Sequence, residues 1–413
     1  MKQHFRAAIA ALSAASSLVW IPGATIGAEP PAACALAYID TGFENASPLY
    51  WEVDAAGRVH VHLVYDQERS SPNRANGHWH FRVEATKGSD LTLVLHNFDN
   101  VWNGKPGLFA KAGTPCLASR DGKRWEHLAT SVVKEPSGSA LEVRLPMAED
   151  AMYVAGVEPY ALRDLDALLR EIRRHAAVEI STIGKTVEGR DLEIIRVGNP
   201  AAAHRVLLRA RAHSWEAGGN WAVQGLIRRL LAPDELAARC RDAYCLYVLP
   251  MANKDGVARG RTRFNLRGMD LNRKWDRPAD PALAPENHAL ERWLDERKRA
   301  GELPELALDL HNDQDGGLHL SRPEGDLKEY LDRMKRLEDL LRRHTSFTEG
   351  SSGPGFRNPG TFGEGLLERY GIHAAILELN ANWIAGLKKP PSGADWERFG
   401  EGLAKVFLEY FGS

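Results

Sequence analysis

Two kinds of apolar spacing divide the chain near residue 158. From about residue 38 to 157, apolar positions alternate with polar ones. Val59, Val61 and Leu63 are interleaved with His60 and His62, and Trp79, Phe81 and Val83 with His78, His80 and Arg82. A period of two is the mark of strands with one face covered. Leu91–Leu95, Leu141–Leu145 and Met152–Val157 continue it, with turn signals at Ala56-Gly57, Asp121-Gly122 and Ser137-Gly138. No helical stripe interrupts, so an antiparallel β-sandwich is expected. His60, His62, His78 and His80 are read as polar positions opposite a packed face, in preference to a metal site.

After Pro159 the period changes. Leu162, Leu165, Leu168, Leu169 and Ile172 form a helical stripe. Strands are then expected at Leu192–Val197, Val206–Ala210, Tyr244–Leu249, Leu306–Leu310 and His373–Leu379. Helices are expected at Ala222–Leu231, Pro285–Arg299, Leu327–His344 and Trp396–Tyr410. Such alternation predicts an α/β domain, a mixed sheet covered by helices on both faces. Glu349–Gly365, rich in Gly, Ser and Pro, reads as a loop.

Composition refines this picture in three places. The 413 residues exceed one typical core and suggest two domains. A net charge of −2 with no basic stripe argues against nucleic-acid partners. Lys2 and Arg6 precede an apolar run reaching Ile26, and the first acid is Glu29. Residues 1–28 are therefore expected to be a signal peptide, 29–157 the β-sandwich and 158–413 the second domain. No later run approaches the roughly 20 apolar residues of a spanning helix, so an exported protein, periplasmic or secreted, is expected. Export permits disulfides, and Cys34 with Cys116 and Cys240 with Cys245 would stay within domains. Buried free thiols are the alternative.

The chemistry gathers at strand ends. Val206-Leu207-Leu208 leads into Arg209-Ala-Arg-Ala-His213-Ser-Trp-Glu216-Ala-Gly-Gly. A turn carrying His213 and Glu216 three apart can aim an imidazole and a carboxylate at one point, and both are zinc ligands. A second His-x-x-Glu, His288 to Glu291, lies in a charged helical stretch and reads as a solvated face. Leu306-Ala-Leu-Asp-Leu-His311 is another strand ending in histidine, and Ala374-Ala-Ile-Leu-Glu378 one ending in a carboxylate. In an open α/β sheet, ligands bind beyond the carboxyl ends of strands.

With Gly260-Arg-Thr-Arg-Phe-Asn-Leu-Arg-Gly-Met-Asp-Leu-Asn-Arg273 between them, these motifs resemble the zinc carboxypeptidases, most of all the cytosolic-carboxypeptidase branch. Thr41-Gly-Phe-Glu-Asn and His78-Trp-His-Phe-Arg resemble the β-domain that precedes the catalytic domain there. The resemblance implies one zinc ion held by His213, Glu216 and His311, with water as the fourth ligand. It implies Glu378 as general base and Arg263, with Arg261 as competitor, as the group that polarises the scissile carbonyl. Asn272 and Arg273 would hold a substrate's terminal carboxylate, which the planar arginine fork can take in bidentate fashion. A peptide C-terminus is the implied substrate. Relatives that remove glutamate suggest an acidic preference, with Arg357, Arg322 or Arg369 facing the side chain. Gly363 would instead leave the pocket floor bare. Many relatives place a tyrosine in the loop before the glutamate; here Phe356 stands at about that spacing. A deacylase or cell-wall peptide amidase on the same scaffold, or a non-catalytic binding protein, are the competing readings.

Overall fold

The computed structural model describes residues 35–135, 138–322, 325, 327–353 and 360–412. The expected signal segment and Cys34 lie outside the described residues. Among those described, the first part of the chain forms two five-stranded sheets and a four-stranded ribbon. One sheet has His80–Ala85 between Leu36–Asp40 and Ala151–Ala155; the other has Asp90–His96 between Gly138–Pro146 and Val59–Leu63. Trp79, Phe81, Val83, Leu93, Leu95, Leu141 and Val143 fill the space between them, as the alternation predicts. Each fully buried side chain of this size contributes roughly 1.5–3 kcal/mol.

Two expectations for this part need correction. The sandwich is not purely antiparallel, because Val59–Leu63 pairs parallel to Asp90–His96. Between these strands the chain crosses to the opposite sheet as His80–Ala85, and such a crossover lets it re-enter in the same direction. The four histidines also do not share an exposed face. His60 and His62 are half-buried, whereas His78 and His80 are buried. The segment Asn45–Ser47 covers them: His78 Nε2 donates to Asn45 O at 2.9 Å, and His80 Nδ1 lies 3.1 Å from Asn45 Oδ1.

The second part is an α/β domain built on a seven-stranded mixed sheet. Its order is Val178–Lys185, Asp191–Val197, Tyr244–Leu249, His204–Ala210, Leu306–Asp313, His373–Asn380 and Gly317–Leu320. The four strands from Tyr244–Leu249 to His373–Asn380 are mutually parallel, so their carboxyl ends share one edge. Side chains alternate between two cores. Val206, Leu208 and Leu308 pack under helices Leu162–Ile172, Gly218–Leu231, Lys328–His344 and Gly393–Phe411. Leu207, Leu249 and Ala307 pack under Pro285–Ala300 and Phe362–Tyr370.

Helices Gly218–Leu231 and Gly393–Phe411 touch backbone to backbone. A Cβ on Gly400 would stand 1.8 Å from Ala222 O, and one on Gly225 2.1 Å from Glu397 O. Only glycine allows that approach.

Cys240 and Cys245 are not bonded to each other, and Cys116 is also free; all three are buried. Cys240 belongs to the core on one face of the sheet and Cys245 to the core on the other. Cys240 on helix Glu235–Ala243 and Cys245 on strand Tyr244–Leu249 are thus kept on opposite faces, and these two are the buried free thiols of the alternative reading, not the pair that a shared domain would have allowed. Glu291 is not on a solvated face either. It is buried, accepts from Ala279 N at 2.8 Å and pairs with Arg369. No helix among the described residues is long and apolar enough to cross a membrane.

Candidate metal centre and substrate cleft

The turn between strand His204–Ala210 and helix Gly218–Leu231 carries His213 and Glu216. Arg211 shapes it from inside. Its backbone sits at φ 61, a left-handed conformation that costs a non-glycine residue about 1–3 kcal/mol. Its buried guanidinium offsets that by donating to Ser214 O at 2.8 Å and Asn220 Oδ1 at 3.0 Å. His311 comes from the next strand, and Glu378 is its register neighbour on the strand beyond. One edge of the sheet therefore brings all four residues together.

Three donors converge. His213 Nδ1 lies 2.7 Å from Glu216 Oε1, His311 Nδ1 2.7 Å from Glu216 Oε2, and the two Nδ1 atoms are 3.1 Å apart. The contact at Glu216 Oε2 lacks hydrogen-bond geometry. A tetrahedral ion with bonds of ~2.05 Å would set its ligand atoms about 3.3 Å apart. The spacing and the donor chemistry, two imidazoles and a carboxylate, fit zinc. Burial alone would raise the Glu216 carboxyl, but the two histidines outweigh it and hold the group below the ordinary range. It is ionised, as a ligand must be.

Each histidine is fixed from behind. His213 Nε2 is 3.1 Å from Asp270 Oδ1, and Asp270 Oδ2 accepts from Arg263 Nε at 2.8 Å. His311 Nε2 is 2.7 Å from Asp309 Oδ2, and Asp309 Oδ1 accepts from Arg209 Nε at 2.8 Å. Burial opposes ionisation of both aspartates, yet Arg263 and Arg209 hold them well below the usual carboxylate range. These carboxylates point each Nδ1 lone pair at the centre.

Glu378 stands beside the triad with its Oε2 buried and without a hydrogen-bond partner. Burial first, then the nearby Asp313, push its carboxyl well above the ordinary range; His311 works against the shift. Such a group is a candidate proton acceptor and donor.

The structure places the predicted cationic residues differently from one another. Arg263 is half-buried and paired with Asp270 at 2.8 Å, with its guanidinium over the Trp102 ring at 5.1 Å. Arg261 is 39% exposed and turns to Asp66 at 3.5 Å. Arg273 is half-buried, donating to its own neighbour Asn272 O at 2.8 Å and reaching Asn103 Oδ1 at 3.5 Å. Asn272 Oδ1 accepts from Phe362 N at 2.9 Å, which leaves its amide NH2 as the donating end. Arg369 is committed to Glu291 and to Trp275 O and Arg277 O, so it does not serve a specificity pocket. Arg322 Nη2 donates to Ser352 O at 3.2 Å. Gly363 is no bare pocket floor, because a Cβ there would stand 2.8 Å from Ser321 Oγ. Phe356 and Arg357 lie outside the described residues.

Residue reasoning missed Arg209, Asp270, Asp309, Trp102 and Asn103. A signal existed for two of them. Arg209 and Asp309 are charges set between apolar neighbours, and they are register partners on adjacent strands.

Residues 165–309 match the zinc carboxypeptidase family. Cytosolic carboxypeptidase 2 of Macaca fascicularis is 28% identical over 170 residues, covering 38% of this chain and 20% of that protein. Cytosolic carboxypeptidase 6 of Caenorhabditis elegans is 30% identical over 138 residues, covering 32% and 30%. The chain thus spans a fifth to a third of the length of these relatives. Among solved structures, a metallo-carboxypeptidase from Burkholderia cenocepacia superposes with TM-score 0.78 at 20% identity, covering 91% of this chain and 98% of that one. One from Pseudomonas aeruginosa, solved in complex with (2-guanidinoethylmercapto)succinic acid, gives 0.75 at 24% identity, covering 90% and 98%. The fold, with its strand-rich region ahead of the α/β domain, is that of the metallo-carboxypeptidases. Residues 165–309 are thus similar to the zinc carboxypeptidase family, within a chain whose fold is that of the metallo-carboxypeptidases.

Proposed function

We propose that the protein is a zinc-dependent metallocarboxypeptidase that removes residues from the C-terminus of peptides. The observation that carries this is the convergence of His213, Glu216 and His311 beside an unpartnered Glu378. When bound, zinc supplies a Lewis acid that makes water nucleophilic near neutral pH. Glu378 takes the proton of the attacking water and later delivers it to the leaving amine. Arg263, held rigid by Asp270, offers its remaining N–H groups to the developing oxyanion. Arg273 and the Asn272 amide hold the terminal carboxylate, which sets the scissile bond one residue from the chain end. Two forms of one peptide, with free and amidated C-termini, test the reading. The free form is cut and the amidated form is not; equal cleavage of both would refute it. N-acyl amino acids in place of peptides test the deacylase alternative.

Two finer points belong to this proposal. An acidic preference is supported by Arg357 in the stretch Glu349–Gly365 before Glu378, and by Arg322, whose partner Ser352 belongs to the same stretch. Peptides ending in Glu, Asp, Lys, Phe or Ala decide it. Fastest release of Phe or Lys, unchanged by Arg357→Ala, would remove the acidic pocket. Export is supported by the composition of residues 1–28, and a mature N-terminus near Gly27 or Ala28 would establish it.

A further inference from the structure

The ribbon of the N-terminal part includes a hairpin, Asp99–Trp102 paired with Lys105–Leu108. Asn103 and Gly104 close it, with φ of 49 and 73. Two consecutive positive φ values are the signature of a tight two-residue hairpin turn, and Asn-Gly is its favoured sequence. The tip is exposed, yet it is held from behind. Gly104 N donates to Asn73 Oδ1 at 2.8 Å, and Asn73 Nδ2 donates to Glu68 Oε2 at 2.7 Å. The Trp102 indole folds back across the hairpin over Gly107, where a Cβ would stand 2.6 Å from its Cδ1. Any larger residue at 107 would push the indole off.

That fixed tip meets the two arginines that the cleft needs. The Trp102 ring lies 5.1 Å from the Arg263 guanidinium, which also pairs with Asp270 at 2.8 Å. Asn103 Oδ1 lies 3.5 Å from Arg273 Nη2. Together, Asp270 and the indole leave the Arg263 plane little freedom to turn. Asn103 thus brings a side chain of the N-terminal part to the fork proposed to bind the terminal carboxylate.

We propose that the hairpin tip is part of the substrate site, with Trp102 a positioning residue for Arg263 and Asn103 a specificity residue beside Arg273. This rests on the carboxypeptidase reading. It assigns the β-sandwich part a direct role: it supplies the wall against which the substrate's last residue is read. The two residues act on different steps. Trp102 governs how well Arg263 meets the developing oxyanion, which is a turnover effect. Asn103 governs the surroundings of the carboxylate fork, which is a binding effect.

The test is steady-state kinetics on zinc-loaded protein with a blocked dipeptide ending in the residue that the parent releases fastest. Trp102→Ala should lower kcat about tenfold with KM little changed, because a loosened Arg263 is misplaced in the transition state. Trp102→Phe, which keeps an aromatic face, should restore most of the loss. Asn103→Asp places a carboxylate where it competes for Arg273, and should raise KM about tenfold at unchanged kcat. Asn103→Gly keeps the turn and should leave kcat unchanged, with a smaller rise in KM. The tip is exposed, so both Asn103 variants can be checked for parental thermal stability. Parental KM in folded Asn103→Asp, or a kcat in Trp102→Ala that is unchanged or not recovered by Phe, would overturn the inference. A parent protein that cuts no free-C-terminus peptide would instead overturn the carboxypeptidase reading.

Discussion

Asp309 is where fold and metal centre meet, and Asp309→Asn should damage both by separable amounts. Arg209 and Asp309 are both fully buried and bonded through two guanidinium nitrogens. Removing one partner of a buried ion pair costs about 3–5 kcal/mol. Asparagine keeps one acceptor, so the lower end applies. Asp309 Oδ2 accepts from both Arg209 Nη2 and His311 Nε2, and Oδ1 from Arg209 Nε, so whichever way the amide turns its NH2 faces an N–H, and the charge behind His311 is lost. Losing a carboxylate behind a metal-ligating histidine costs about 10–100-fold in affinity. Two assays divide these effects: denaturant unfolding of the metal-free protein in chelator, and zinc affinity by competition with a chromophoric chelator. Leu337→Ala is the control, a fully buried leucine in helix Lys328–His344 whose truncation costs about 2–5 kcal/mol. It should lose similar stability while binding zinc as the parent does. Asp309→Asn with reduced stability but parental zinc affinity would show that His311 does not depend on its carboxylate, and would refute the reasoning.

Three further outcomes are expected. Glu378→Gln should bind zinc as the parent does but lose about 10²–10⁴-fold in kcat, measured on the free-C-terminus peptide, since an amide accepts no proton. Gly400→Ala should destabilise by about 1–3 kcal/mol in denaturant unfolding, because its Cβ would strike Ala222 O. Burial lowers His78 to about 4 and His80 to about 3, from 6.5. The unfolded chain then binds more protons than the folded one between those values. The stability these groups contribute is whole above pH 6.5 and lost as pH falls to about 4 and below, roughly 3 kcal/mol for His78. His78→Gln should flatten the acid limb of a stability–pH curve, and an unchanged limb would contradict it.

What could be read in advance followed strong periodicity. Tyr244–Leu249 and Pro285–Ala300 match expectation within a residue, because one is wholly apolar and the other begins at a proline. Val178–Lys185 escaped notice because it is an edge strand whose residues are half-buried or exposed. Phe362–Tyr370 lay hidden by the two glycines at its start. In the candidate site, His213, Glu216, His311 and Glu378 stood out because each closes a strand or its following turn. Their supports did not, because Arg209 and Asp309 are a hundred residues apart and meet only through strand register. Trp102 and Asn103 belong to a different part of the chain from the residues they touch, and no local pattern links them to Arg263 and Arg273.

The most direct measurement is mass spectrometry of one peptide, in free and amidated forms, incubated with zinc-loaded protein with and without chelator. The account predicts stepwise loss of single residues from the free C-terminus, none from the amide, and no cleavage once zinc is removed. Internal cleavage, equal attack on both forms, or undiminished activity in chelator would contradict it.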